Sequence, residues 1–106
     1  MQYWNHKTLS DLRELSASEE EFRKLLSEFF SDAFLLLQEI HKQHSANSIR
    51  IGLHTLKGLA RTFGAIALFE KVAECEKELL ANRSLGQKEF VELLQILKET
   101  QSNVQI

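Results

Sequence analysis

His54 is the side chain in this 106-residue chain whose surroundings invite chemistry. On a helical wheel, at about 100° per residue, Arg50, Lys57, Gly58 and Arg61 all fall within roughly 60° of it. Leu53, Ala60, Ile49, Leu56, Phe63, Gly52 and Leu59 take the remaining, core-facing side. The wheel therefore predicts an exposed histidine with cations at i−4, i+3 and i+7. Like charges along one helix face oppose each other by a few tenths of a kcal/mol per pair. A glycine in a helix interior costs ~1 kcal/mol relative to alanine. A helix selected for stability has neither. The stripe instead offers a ring nitrogen, an open notch at Gly58, and cations that neutralise an anion brought to it. A nucleophile for a phosphoryl group needs those three things. The plainer reading of the same residues is a solvated basic face with no chemistry.

Other candidate chemistry is weaker. His41 and His44 stand at i, i+3, a spacing that can turn two imidazoles toward one metal. No third ligand is near, because Glu39 points elsewhere and Cys75 belongs to another helix, so no metal site is expected. Histidines are also favoured at helix C-termini, where these two fall. Cys75 lies beside an apolar line and reads as a small buried hydrophobe. A Ser-His-Asp hydrolase lacks its nucleophile elbow and the sheet that would hold one. There is no glycine-rich phosphate loop and no carboxylate cluster for Mg²⁺, which predicts neither ATP binding nor independent kinase activity.

The elements that must position His54 follow from periodicity. Ser18 with Glu21 makes a capping box. Behind it Phe22, Leu25, Leu26, Phe29, Ala33, Leu36, Leu37 and Ile40 predict a helix to about His44. Ser45 to Ser48 is a polar break with Asn47 and Ser48 as N-cap candidates. The His54 helix then runs to Phe63 and stops at Gly64, well placed as a C′ glycine. Phe69, Val72, Ala73, Leu79 and Leu80 mark a third helix over about Ile66 to Ala81, Asn82 to Gly86 a turn, and Phe90, Leu93, Leu94 and Leu97 a fourth that frays near Gln101. Thr8 to Leu15 is a short lead-in helix, and Trp4 is expected to pack over one end of the core. Short connections between amphipathic helices imply an all-α, antiparallel, up-down-up-down four-helix bundle. Residues 1–17 form its lead-in and cap, and residues 18–106 the bundle. Phe30, Phe34 and Leu37 add a second apolar line on the first long helix, beyond what one core stripe needs.

Composition agrees: 43% hydrophobic, 26% charged, no proline and four glycines. One cysteine excludes a disulfide-stapled scaffold. No run approaches the ~18 apolar residues that span a membrane. The first twenty residues, with Lys7, Asp11, Arg13 and Glu14, predict no secretory leader, hence a cytoplasmic protein. A net charge of −2 argues against a general nucleic-acid binder. From Ile40 to Phe69 there is no Asp or Glu, while Arg50, Lys57 and Arg61 fall inside that stretch. A basic island in an acidic chain suggests a small anionic target.

The run His54-Thr55-Leu56-Lys57-Gly58-Leu59-Ala60-Arg61-Thr62-Phe63-Gly64-Ala65 resembles the signature of histidine phosphotransfer domains, His-x-Leu-Lys-Gly followed by Gly-Ala. The resemblance also extends to the phosphorylated domain of chemotaxis histidine kinases, which shares the bundle. It implies that His54 accepts a phosphoryl group from an aspartyl phosphate on a response-regulator receiver domain and passes it to another receiver. By the same resemblance Lys57 lies beside the phosphoryl group, Gly58 leaves room for the receiver, and Gly64 ends the helix or permits close packing. Arg50 and Arg61 join Lys57 as stabilising cations through their place on the wheel. Leu59 and Leu53 depart from the smaller residues common in the family, and both fall toward the core. Mg²⁺ is expected on the receiver and no cofactor on this chain. The expected partners are receiver domains and a hybrid histidine kinase, with Phe30 and Phe34 as the docking residues on a monomer. An adaptor that binds receivers without being phosphorylated is the alternative from another functional class.

Overall fold

The structure, a computed structural model, describes residues 1–104. Five helices and no strand make up those residues: α1 (His6–Leu15), α2 (Glu19–Lys42), α3 (Ala46–Phe63), α4 (Ile66–Leu80) and α5 (Gln87–Ser102). Four of them close a ring of contacts, with α2 against α3 and α5, and α4 against α3 and α5. α1 lies across α2 and α3.

Local chemistry sets the boundaries. Ser18 Oγ accepts the Glu21 N–H at 3.1 Å, and Glu19, Glu20 and Glu21 place negative charge at the positive end of α2. α3 starts two residues earlier than expected. Its cap is Ser45, whose Oγ accepts the Ser48 N–H at 3.1 Å, so Asn47 and Ser48 lie inside the first turn. α2 correspondingly ends at Lys42 rather than His44. Asn5 caps α1 through the Thr8 N–H, extending that helix back to His6. Glu89 accepts the Gly86 N–H at 2.8 Å and so opens α5.

The core is the apolar side of each helix. Leu53, Leu56 and Ala60 of α3 are fully buried against Phe22, Phe29 and Ile40 of α2, Leu68 and Val72 of α4, and Leu93 and Leu97 of α5. Each large side chain taken out of water contributes about 1.5–3 kcal/mol, so this stripe fixes how α3 is rotated. α2 and α3 come unusually close at Gly52, where a Cβ would stand 2.5 Å from Ile40 Cγ1. Leu80, expected on the apolar stripe of α4, is 73% exposed at the helix end instead.

One corner holds α3 at both its end and its flank. Gly64 takes φ 75°, left-handed backbone that a side chain would strain, and the Ala65 N–H reaches back to the Ala60 carbonyl at 2.9 Å. A Cβ there would also meet Thr8 Cβ at 2.9 Å, so Gly64 both ends the helix and permits close packing. The Gly64 carbonyl accepts the Asn5 N–H at 2.7 Å. Next to it Trp4 is buried, packs edge-on to Phe29 and Phe30, and donates its indole N–H to the Thr100 carbonyl at 3.0 Å.

Candidate functional site

Because Leu53, Leu56 and Ala60 turn inward, His54 must turn outward, and its side chain is 75% exposed. Its Nδ1 faces α4, 3.9 Å from Glu76 Oε2. That is too long for a hydrogen bond and short enough for charge to be felt. The other ring nitrogen, Nε2, is therefore the one turned away from Glu76.

Glu76 is the residue that sequence reasoning missed. Its Oε1 lies 2.9 Å from Lys57 Nζ, making an ion pair between α3 and α4. The carboxylate is only 14% exposed, and Oε1 has no hydrogen bond of good geometry among the described residues. Lys57 thus holds it by proximity of charge. The basic island of the sequence is not bare after folding: its acid arrives from α4. A signal existed, since Glu76 sits one turn after Val72 and beside Cys75, at the edge of the apolar stripe where a carboxylate is costly without a partner.

The cations divide. Lys57 turns to Glu76, whereas Arg50 donates to Asn47 Oδ1 at 3.0 Å. Neither Arg50 nor Arg61 has a carboxylate within 4 Å among the described residues. Both are exposed, as is Gly58. A Cβ added at Gly58 would meet no atom within 4 Å among the described residues outside its own stretch of helix. Gly58 opens onto a depression of about 540 Å³ between α2 and α3, lined by Leu35, Leu36, Leu59 and Thr55, with Asp32 and Glu39 at its edge.

The two phenylalanines expected beside His54 are elsewhere. Phe30 is buried at 5% exposure, with Trp4 edge-on at 5.9 Å and Phe29 at 4.9 Å, so it presents no surface. Phe34 is half-buried and lines the groove between α2 and α5 with Leu37, Phe90 and Leu94. That groove is on the flank of α2 away from α3. Leu37, from the same apolar line, is buried. The apolar residues that do border the His54 face are Leu35, 58% exposed, and Ile51, 54% exposed. His41 is tied into the α2–α5 contact by Gln87, 3.0 Å from its Nε2, and by the Phe90 ring. Among the described residues no three His, Cys, Asp or Glu side chains converge as metal ligands. No helix among them is long and apolar enough to cross a membrane.

The all-helical fold thus presents an exposed histidine on a helix anchored in the core, with Lys57 and Gly58 about one turn after it. The model of the Hpt domain family matches residues 24–105, and the chain belongs to that family, whose members are phosphocarriers of two-component systems. No curated protein and no solved structure matches the chain.

Proposed function

We propose that the chain is a cytoplasmic, monomeric phosphorelay carrier that takes a phosphoryl group from a receiver-domain aspartate onto His54 and gives it to a second receiver. Its frame is read as an antiparallel four-helix bundle formed by α2 to α5, with α1 as the cap, in keeping with the ring of contacts they make. The observation that carries the reading is Gly58. Nothing among the described residues requires a glycine there: its φ is not positive, and a Cβ would have open space beyond its own stretch of helix. A helix-weakening residue beside an exposed histidine is explained by what approaches from outside.

The chemistry follows from the site. Phosphoryl transfer asks for in-line positioning and charge stabilisation more than for covalent work by the protein. A carboxylate facing Nδ1 favours the ring proton on that nitrogen and leaves the Nε2 lone pair outward. The Nε2 pair attacks phosphorus, the P–N bond forms, and the acyl P–O bond breaks with its electrons leaving on the receiver's carboxylate. The ring keeps its Nδ1 proton beside Glu76. Lys57 is near enough to exchange Glu76 for a phosphoryl oxygen, with Arg61 and Arg50 extending the positive surface. Mg²⁺ belongs to the receiver.

The test is incubation with phosphorylated receiver domains and Mg²⁺, beside a His54→Gln control. Acid-labile, base-stable phosphate on the wild type alone is expected. Binding without label from every receiver would replace the carrier by a docking adaptor.

A further inference from the structure

The groove between α2 and α5 has no part in the phosphoryl chemistry. It encloses about 310 Å³ over Phe34, Phe90, Val91 and Leu94, and His41 meets Gln87 across one end at 3.0 Å. Val91 is 54% exposed and Leu94 37%, on a helix whose other apolar side chains are buried or half-buried. It opens on the opposite side of the helix ring from His54, which looks out beside Glu76 of α4. The charge around it has one sign. Acids outnumber bases in the chain, 15 to 13, yet among the described residues none of the acids on α5, or on α2 after Arg23, turns to the groove. Asp32 and Glu39 edge the depression beside α3, and Glu28, one turn before Asp32, shares their face. On α5, Glu92 pairs with Lys71 of α4 at 2.7 Å, Glu99 bonds Tyr3, and Glu89 folds back onto Gly86. Cations take the line of the groove instead. Arg23 stands about three turns before Phe34 on the same face of α2, and Lys98 one turn after Leu94. Both are exposed, and both lie beyond the end away from His41.

We propose that this groove is a second docking site, which takes an amphipathic helix of another protein whose apolar stripe is edged by Asp or Glu. Apolar side chains at i, i+3 and i+4 of such a helix fill the space over Phe34, Val91 and Leu94. From Arg23 to His41 α2 offers a line about 27 Å long, room for about five turns. Exposed Ser27 and Ser31 continue that line past Phe34 without a bulky side chain. Carboxylates edging the stripe meet Lys98 and Arg23. A second copy of this chain is the poorer occupant, because it brings its own Arg23 and Lys98 to a face with no carboxylate to receive them. The site stands apart from the carrier reading, since a helix seated there leaves His54 uncovered.

The experiment uses the full chain and a fluorescein-labelled helical peptide of about five turns, its Leu and Ile stripe edged by Glu. Its controls are a Lys-edged peptide with the same stripe and a scrambled peptide of the first one's composition. Polarisation titrations should show saturable binding of the Glu-edged peptide, about tenfold tighter than either control at low salt and weakening as salt rises. Val91→Glu should weaken it more than about tenfold, and Lys98→Glu about fivefold. Both positions are exposed, and circular dichroism checks that helicity is retained. Amide shifts in NMR spectra should cluster on the facing flanks of α2 and α5, with the His54 ring signals unmoved. No binding at about 1 mM peptide overturns the proposal. So does equal binding of the Glu- and Lys-edged peptides, or a cluster of shifts around His54. A wild-type dimer that Val91→Glu dissociates would give the groove to a second copy instead. Binding to phosphatidylserine vesicles that the same variant loses would give it to a membrane surface. A chain that binds the peptide at the groove yet takes no phosphate from any receiver overturns the carrier reading alone.

Discussion

Gly52 and Gly58 belong to the same helix, and alanine at each is expected to move stability in opposite directions. At Gly58 the added methyl enters open space, so the only term is helix propensity, a gain of ~1 kcal/mol. For a domain of this size that raises Tm by roughly 4–8 °C. At Gly52 the same gain is set against a methyl 2.5 Å from Ile40 Cγ1, a branch atom of a side chain buried at 1% exposure. Overpacking of a tight core costs about 1–3 kcal/mol, so the net is a loss of about 1 kcal/mol and a lower Tm. Thermal unfolding followed by circular dichroism reads both. Function is read separately with Gly58→Leu, which should stay folded and lose receiver-dependent labelling of His54. A Gly58→Ala protein less stable than wild type would show that the glycine serves the fold. A Gly58→Leu protein labelled at the wild-type rate would show that nothing needs the notch. Either result removes the main support for the carrier reading.

Lys57→Ala should slow labelling of His54 roughly 10- to 100-fold, as expected for loss of one charge stabiliser. It should lower stability by about 1 kcal/mol, because Glu76 is left half-sheltered without its cation; wild-type transfer kinetics would remove Lys57 from the site. Trp4→Ala should cost about 3–5 kcal/mol in urea unfolding, the usual loss for a buried large aromatic, and an unchanged midpoint would mean the N-terminal segment does not hold in solution. Cys75 should resist thiol reagents at pH 8 until the protein is unfolded, because burial pushes its thiol up to about 11. Rapid modification of the native protein would place it on the surface.

The helices were readable because their cause is local. Apolar spacing, the Ser18 cap and Gly64 each act within a few residues, and the face of α3 that carries His54 followed from where Leu53, Leu56 and Ala60 had to go. The site was half readable for the same reason. Which flank of α2 would lie beside His54 is not a local matter. Phe34 and Leu35 are neighbours in sequence on an unbroken run of apolar residues, and both stand at the edge of the core stripe. Only the placement of α3 on one flank and α5 on the other sends Leu35 to the His54 face and Phe34 to the far groove. Phe30 misled because a large aromatic beyond the core stripe looks spare until Trp4, from the start of the chain, covers it. Glu76 stayed hidden for a related reason: its partner Lys57 is on another helix, and no spacing rule joins them.

The strap made by Tyr3, Trp4 and Asn5 has a kinetic consequence. Trp4 and Thr100 bond across a sequence separation of 96 residues, and Tyr3 reaches Glu99 across the same span. In an unfolded chain, closing so long a loop costs on the order of 4 kcal/mol in entropy by the logarithmic law, whereas the contacts between successive helices need only short closures. The strap should therefore form after the barrier to folding, once the helices have already brought Thr100 to the corner beside Gly64. Lesions in it would then accelerate unfolding and leave the folding rate nearly untouched. The first residues of the chain would act as a latch on the lifetime of the native state, remote from the histidine whose helix they hold in place.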